Sequence, residues 1–232
     1  MDFLFNTNKN AKDNVSVIFI IGDEGIGKSA LAQIAFNDKE VQQYFDLIEW
    51  LSMYNMFDIK RIGKSIAGSC TNNTTLESVR KKIRNKVQGK RYLLVLDDIF
   101  IEHSHIWLAL MRFLEGAAKG SKIIITTRIK KVAMIFKTTN PSTSITLDKL
   151  DEQNSWRMFC YFAFEDEKEP QDQYLLSVGK EIAQKCFGIP QAIYSIGLLM
   201  LFQKKEKWSY FKNKNLVETD EQGVLTIYQH EC

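Results

Sequence analysis

The sequence predicts an α/β fold in which a parallel sheet is flanked by helices and followed by a small all-helical part. Four apolar runs have the composition of buried parallel strands, and they alternate with segments of helical composition. A glycine-rich turn separates the first run from the helical segment behind it. After Pro141 the apolar residues recur at helical spacing alone. We therefore expect a sheet of about five strands and then a helical bundle.

Length and composition are those of a soluble globular protein. The chain has 232 residues, of which 45% are hydrophobic and 25% charged. A net charge of +3 is too small to argue for nucleic acid, and the four scattered cysteines indicate reduced thiols. No secretory signal opens the chain, and the longest apolar run, 192–202, is about half a membrane span. We expect a cytoplasmic protein that neither spans a membrane nor binds nucleic acid.

The first strand, 15–21, leads into the motif Gly22-Asp-Glu-Gly-Ile-Gly-Lys-Ser29, the full phosphate-loop pattern, and then into a helix. Backbone N–H groups of 25–29 can converge on phosphate oxygens at the helix N-terminus. Lys28 would reach the β- and γ-phosphates, and the Ser29 hydroxyl would bind Mg²⁺. A chance glycine-rich turn is the alternative, which the strand–turn–helix context disfavours. The candidate phosphate-binding residues are Gly22, Gly25, Ile26, Gly27, Lys28, Ser29 and Ala30.

A second strand and two helices are predicted before residue 90. The segment 45–53 is expected to be a strand, and 59–69 a helix. Apolar residues recur at helical spacing along 76–87, which leaves a basic surface on the other faces. A nucleic-acid patch is one interpretation of that surface. A solvated helix face is favoured, because no aromatic residues interleave with the basic ones.

The next strand is Arg91-Tyr-Leu-Leu-Val-Leu-Asp97-Asp98, whose apolar residues end in two carboxylates. Ligands of open α/β sheets bind at this carboxyl edge. With a phosphate loop upstream, the segment is a Walker B element. Asp97 is then the natural Mg²⁺ partner, directly or through water, and Asp98 is placed to orient or deprotonate an attacking water. Two acidic residues in an ordinary turn are the alternative interpretation.

A helix is predicted around 107–114, and a further buried strand follows in Gly120-Ser-Lys-Ile-Ile-Ile-Thr-Thr-Arg128. An arginine at that strand edge can reach a γ-phosphate and stabilise the charge that develops during hydrolysis. Arg128 can equally be a surface arginine, and the residues alone leave both possibilities open.

The remaining chain is predicted to be helical. A helix at 178–186 is closed by Gly188, and an apolar helix begins with Pro190 near its first turn. The predicted organisation has four parts. They are a lead-in at 1–14, a nucleotide-binding α/β domain at 15–148, a helical subdomain at 149–215 and a final segment at 216–232.

Six motifs, in this order, resemble the nucleotide-binding domain of plant disease-resistance proteins, known as NB-ARC. They are the phosphate loop, Phe45-Asp-x-x-x-Trp50, Lys90-Arg-Tyr-Leu-Leu-Val-Leu-Asp-Asp-Ile99, the strand ending at Arg128, Leu147-x-x-Leu150 with Ser155-Trp156, and Cys186-Phe-Gly-Ile-Pro190. The tryptophan after Ser155 makes the resemblance strongest to the coiled-coil type of intracellular immune receptor.

The resemblance implies a molecular switch of the signal-transducing ATPase group, with slow ATP hydrolysis at most. ADP would hold it closed, and exchange for ATP would open it for assembly with other immune receptors or with itself. By match to the family motifs, Lys28 and Ser29 serve phosphate and Mg²⁺, and Asp97 serves the metal. Asp98 would act in hydrolysis. Arg128 would be the sensor arginine, and Pro190 would lie against the adenine.

Departures from the family pattern support a second hypothesis. Glu24 stands where the family usually has glycine, and Asp23 where it has an apolar residue. Two carboxylates beside a phosphate site lower affinity unless they point to solvent. The family places an adenine-contacting segment about 25 or more residues before the phosphate loop, whereas 21 residues precede Gly22 here, so we expect that segment to be missing. The segment 224–228 resembles the start of a winged-helix subdomain, and the family's Met-His-Asp motif does not follow it. The alternative is a truncated NB-ARC interaction protein that binds nucleotide weakly or not at all and pairs with full-length receptors.

Overall fold

The computed structural model describes residues 2–5, 15–52, 63–64, 66, 68, 75–99, 111–112, 114, 116–137, 142–165, 169–220 and 225–228. The helices predicted at 59–69 and around 107–114 fall largely outside these residues. The chain divides into two compact units. The first contains Met1–Gly22 and Lys28–Thr146, and the second contains Asp23–Gly27 and Leu147–Cys232.

The first unit is built on a sheet whose strands are β1 (Val15–Ile21), β2 (Leu47–Ser52), β3 (Tyr92–Asp97), β4 (Ser121–Thr127) and β5 (Ser142–Thr146). The five strands lie in the order β2-β3-β4-β1-β5. Every neighbouring pair is parallel. This confirms the predicted fold class. It also places β4 between β1, which leads into the phosphate loop, and β3, which ends at the paired carboxylates.

The helices of the first unit are α1 (Asp2–Phe5), α2 (Lys28–Asn37), α3 (Lys39–Tyr44), α4 (Leu76–Val87) and α5 (Lys130–Lys137). Two of them begin at side-chain caps: Asp38 accepts hydrogen bonds at the start of α3, and Thr75 does so at the start of α4. Helix α4 buries Val79, Ile83 and Val87. Its exposed face carries Lys81, Lys82 and Arg84, as the apolar spacing predicted.

The core of the first unit comes from the apolar strands. Phe19, Tyr92, Leu94 and Ile125 are fully buried, and each such side chain stabilises the fold by roughly 2 kcal/mol through the apolar area it removes from water. The expectation that strands end at Pro141 was wrong, since β5 follows it. That strand is Ser-Thr-Ser-Ile-Thr, and its polar composition gives no sign of a buried strand.

The second unit contains α6 (Glu152–Ala163), α7 (Gln173–Gln184), α8 (Pro190–Phe202), a 3₁₀ turn at Lys205–Lys207, and α9 (Trp208–Lys212). Two short antiparallel strands follow, β6 (Val217–Thr219) and β7 (Leu225–Ile227). Helix α7 begins before the predicted residue 178, because Asp172 caps it by accepting from the N–H groups of Tyr174 and Leu175.

Aromatic rings fill the core of the second unit. Trp208 is fully buried, and its ring centroid lies 5.2 Å from that of Phe164 and 6.2 Å from that of Phe159. Helix α8 packs closely on α6, since a Cβ at Gly197 would lie only 2.8 Å from the Cβ of Phe162. No helix among the described residues is long and apolar enough to cross a membrane.

Candidate nucleotide-binding site

The phosphate loop begins where β1 ends and continues into α2. The Gly22 N–H donates to the Thr127 carbonyl oxygen at 3.3 Å, which extends the β1–β4 pairing by one step. Gly25 and Gly27 have φ values of +72° and +100°, which L side chains rarely adopt. A Cβ at Gly27 would meet no atom of the described residues within 4 Å. The loop therefore has the glycine-dependent backbone that phosphate binding needs.

Ser29 and Asp97 meet although they are 68 residues apart in the chain. The Ser29 hydroxyl donates to Asp97 Oδ1 at 2.7 Å. Lys28, the residue before Ser29, is only 7% exposed. In the structure, the serine hydroxyl of the phosphate-loop motif therefore contacts the first carboxylate of the Walker B element.

This serine–aspartate pair fits Mg²⁺. Hydroxyl and carboxylate oxygens are hard ligands of the kind Mg²⁺ prefers, and the ion usually keeps several waters and substrate phosphates as its other ligands. No cluster of three or more His, Cys, Asp or Glu side chains suited to a metal occurs in the described part of the chain.

A third residue, which the sequence reasoning did not assign, completes the arrangement around Asp97. The Thr126 hydroxyl donates to Asp97 Oδ1 at 2.6 Å and accepts from the Asp98 N–H at 2.8 Å. Asp98 itself has φ +61°. The two threonines before Arg128 are visible in the sequence, but only the strand order shows that one of them reaches the Asp97 carboxylate and the Asp98 N–H.

Thr127 and Arg128 follow at the end of β4. The Thr127 hydroxyl donates to the Ile99 carbonyl at 2.7 Å and accepts from the Ile129 N–H at 3.1 Å. Arg128 is half-buried at the sheet edge where Asp97 also stands. Its assignment as a sensor for the γ-phosphate stays a prediction.

In the second unit, the middle of the phosphate loop contacts the start of α8. The Gln191 N–H donates to the Gly25 carbonyl at 3.1 Å. A Cβ at Gly25 would lie 2.8 Å from Leu225 Cδ2 and 3.0 Å from Ile189 Cγ2. Pro190, the predicted adenine contact, is the first residue of α8. In the sequence it lies between Ile189 and Gln191, both of which are next to Gly25. No motif or residue spacing predicts this proximity.

The segment before α8 is held by its backbone. Gly188 has φ +69°, and its carbonyl accepts from the Leu150 N–H at 2.8 Å. A Cβ at Gly188 would clash with the Leu150 carbonyl oxygen. Burial raises the pKa of the nearby Cys186 thiol to about 12, so that this cysteine packs as a neutral group. The family motifs at Leu150 and at 186–190 thus contact each other directly.

The other residues of the loop differ in exposure. Ile26 is buried, whereas Ala30 is exposed. Of the two acidic residues, Asp23 is exposed and Glu24 is half-buried. The predicted site residues therefore group by unit: Ser29 contacts Asp97 in the first unit, and Gly25 contacts the α8 start in the second.

Comparison with a protein-family model decides the family. Residues 3–169 match the NB-ARC domain. The chain belongs to the NB-ARC family. It is 35% identical over 225 residues to the putative disease resistance protein RGA4 of Solanum bulbocastanum, covering 94% of this chain and 22% of that protein. It is 30% identical over 204 residues to the putative disease resistance RPP13-like protein 1 of Arabidopsis thaliana, covering 85% of this chain and 19% of that protein.

Solved structures share the fold of this NB-ARC chain at low identity. The ORC2 protein of Aeropyrum pernix, solved in complexes with ADPNP and ADP, aligns with a TM-score of 0.58 at 11% identity, covering 87% of this chain and 62% of that chain. A variant of RuvB from Thermotoga maritima aligns with a TM-score of 0.51 at 13% identity, covering 78% of this chain and 54% of that chain. This likeness supports the fold alone.

Proposed function

We propose that this NB-ARC chain is an ADP- and ATP-binding switch of plant innate immunity. The observation that carries the proposal is the 2.7 Å hydrogen bond from Ser29 to Asp97, directly behind a glycine-rich loop. It joins the two motifs that bind phosphate and metal in nucleotide-binding α/β proteins.

Each residue has a chemical role in this proposal. Lys28 and the loop N–H groups bind the phosphates, and Ser29 and Asp97 hold Mg²⁺. The bound ion supplies positive charge that offsets the charge of the phosphate oxygens. Asp98 orients or deprotonates a water for slow hydrolysis, and Arg128 stabilises the γ-phosphate. Pro190 lies against the adenine.

The immune role is proposed from the relatives. Each of those named above is a disease resistance protein or a putative one, and the chain spans 22% of RGA4 and 19% of the RPP13-like protein. The activity of such a longer protein is therefore a proposal for this chain. In that proposal the domain lies in the cytoplasm and pairs on activation with other immune receptors or with itself.

A second candidate function is an interaction protein with weak nucleotide binding. Glu24 favours it, because this carboxylate is half-buried in the phosphate loop rather than fully exposed. At about 6 Å from a phosphate and an effective dielectric near 20, repulsion is about 3 kcal/mol per unit charge before salt screening. That energy corresponds to roughly a hundredfold loss of affinity.

A fluorescent-ADP titration with Mg²⁺ tests the proposed function. We expect Lys28→Ala to weaken binding by about a hundredfold or more, since it removes the charge that contacts the phosphates. Lys39→Ala is the matched control, because Lys39 is an exposed lysine at the start of α3. Equal affinities of wild type and Lys28→Ala would mean that the loop is not the nucleotide site.

The same titration separates the two candidate functions through Glu24→Gly. The switch predicts a gain in ADP affinity of less than about tenfold, because the carboxylate then has only a modest effect. A gain of about a hundredfold or more would favour the weak-binding interaction protein, with Glu24 as the residue that disables the site.

A further inference from the structure

Thr126 lies near the carboxyl end of β4, the strand between the phosphate-loop strand and the Walker B strand. It is the second-last residue of β4, which pairs with β1 on one side and β3 on the other. On the β1 side its partner is Ile20, one residue before that strand ends. The side chain is completely buried. Its hydroxyl must therefore find partners inside the protein.

The partners that Thr126 finds are the two carboxylate residues. An ionised carboxylate only accepts hydrogen bonds and a backbone N–H only donates, so the direction of both contacts is fixed. The hydroxyl donates to Asp97 Oδ1 at 2.6 Å and accepts from the Asp98 N–H at 2.8 Å. The Thr126 carbonyl also accepts from the Ile99 N–H at 2.9 Å. One residue thus contacts three successive residues of the Walker B segment.

The conformation that these contacts hold is an unusual one. Asp98 has φ +61°, in the left-handed region that non-glycine residues seldom adopt. Residues in such conformations persist where the surrounding structure holds them, and they are common at functional sites. Here the holding contacts are the hydrogen bonds from the Asp98 and Ile99 N–H groups to Thr126.

We propose that the Thr126 hydroxyl is a positioning group that fixes Asp97 for Mg²⁺ and holds Asp98 in its left-handed conformation; this inference rests on the proposed function. Ser29 and Thr126 both donate to Asp97 Oδ1. When Ser29 serves as a metal ligand, Thr126 still fixes that carboxylate oxygen. Thr126 contacts neither nucleotide nor metal in this scheme, and it acts through Asp97 and Asp98.

Thr127 provides a matched control within the same strand. It is also completely buried, and its hydroxyl also makes two hydrogen bonds. Its partners are the Ile99 carbonyl and the Ile129 N–H, and neither is a carboxylate. Thr126→Val and Thr127→Val therefore remove the same chemical group at adjacent buried positions, and only the first removes a hydrogen bond to Asp97.

The first experiment measures amide hydrogen exchange of the full chain without nucleotide, by NMR. In Thr126→Val we expect the Asp98 amide to exchange at least about tenfold faster than in wild type, because its hydrogen-bond acceptor is lost. Thr126→Ser keeps the hydroxyl and should retain protection. Thr127→Val should leave the Asp98 amide unchanged. An Asp98 amide equally protected in wild type and Thr126→Val would overturn the proposal.

The second experiment compares ADP affinity with Mg²⁺ and with EDTA. We expect Thr126→Val to reduce the Mg²⁺-dependent gain in affinity by about tenfold, while affinity in EDTA changes less than about twofold. Thr127→Val and Thr126→Ser should keep the gain. Equal losses with and without Mg²⁺, or the same loss in Thr127→Val, would reduce Thr126 to a structural role and contradict the inference.

Two outcomes need a further comparison: a Thr126→Val variant that does not fold, and a wild type that does not bind ADP. If Thr126→Val does not fold, Thr126→Ala and Thr126→Ser replace it, because both lose the methyl group and only alanine also lacks the hydroxyl. If wild type shows no Lys28-dependent ADP binding, the proposed function fails and the metal role of Thr126 fails with it. The amide-exchange experiment is made without nucleotide, so it still tests whether the Thr126 hydroxyl holds Asp98 in its left-handed conformation.

Discussion

Asp98 and Phe187 are the two non-glycine residues of the described chain that have a clearly positive φ, at 61° and 51°. Asp98 follows β3 in the first unit, and the Thr126 hydroxyl holds its N–H. Phe187 follows α7 in the second unit, is 57% exposed, and donates its N–H to the Gln184 carbonyl at 3.0 Å. Aspartate tolerates this conformation better than phenylalanine does.

The two units hold these segments in different ways. In the first unit, the hydroxyls of Thr126 and Thr127 hold the Walker B segment together with one backbone hydrogen bond, from the Ile99 N–H to the Thr126 carbonyl. Its geometry therefore depends on which side chains stand at these two threonine positions. The 186–190 segment of the second unit is held by backbone hydrogen bonds and by a glycine that no other residue can replace without strain.

The largest expected effect comes from adding a Cβ to the glycine of the second unit. Gly188→Ala places that atom in a clash with the Leu150 carbonyl oxygen, at φ +69°. Backbone atoms cannot move aside as a flexible side chain does, and we expect the free energy of unfolding to fall by about 3 kcal/mol or more. Urea denaturation followed by circular dichroism measures this.

Gly89→Ala is the matched control for that prediction. Gly89 has φ +70°, and a Cβ there would meet no atom within 4 Å in the part of the chain that the structure describes. The substitution therefore carries the conformational strain without the clash, and we expect a loss of about 1 kcal/mol. Equal losses at the two glycines would show that the Leu150 contact does not constrain the 186–190 segment.

Substituting the two residues of positive φ themselves should change the free energy of unfolding by a smaller amount. Phe187→Asn should raise the free energy of unfolding by about 0.5 kcal/mol, because asparagine adopts the left-handed region more readily and the replaced ring is largely exposed. Asp98→Asn, at a residue already suited to this region, should change stability by less than about 0.5 kcal/mol. A loss of stability in Phe187→Asn would mean that the ring packs more than its exposure indicates.

Much of the fold follows from residue patterns. Continuous apolar runs such as 15–21 and 92–96 predict buried parallel strands, and the phosphate-loop motif fixes the first strand–helix junction. The paired carboxylates at the end of β3 likewise indicate a site at the carboxyl edge of the sheet. These features are local in the sequence, which is why they could be predicted.

The features that could not be predicted depend on contacts between distant residues. Strand β5 is polar in composition and is a strand because it pairs with β1. The contact of Thr126 with Asp97 depends on the strand order, which places β4 beside β3. The positive φ of Asp98 and the Gln191 contact with Gly25 have no counterpart in residue spacing.

The ADP affinities of Asp97→Asn and Asp98→Asn, each measured by calorimetry with Mg²⁺ and with EDTA, separate the proposed roles of the two carboxylates. Asp97 accepts from Ser29 and is the proposed metal ligand, whereas Asp98 is assigned to the attacking water. We predict that Asp97→Asn loses a Mg²⁺-dependent gain of about tenfold or more, and that Asp98→Asn keeps this gain and only slows hydrolysis. Equal retention or equal loss of the gain in the two variants would contradict the account.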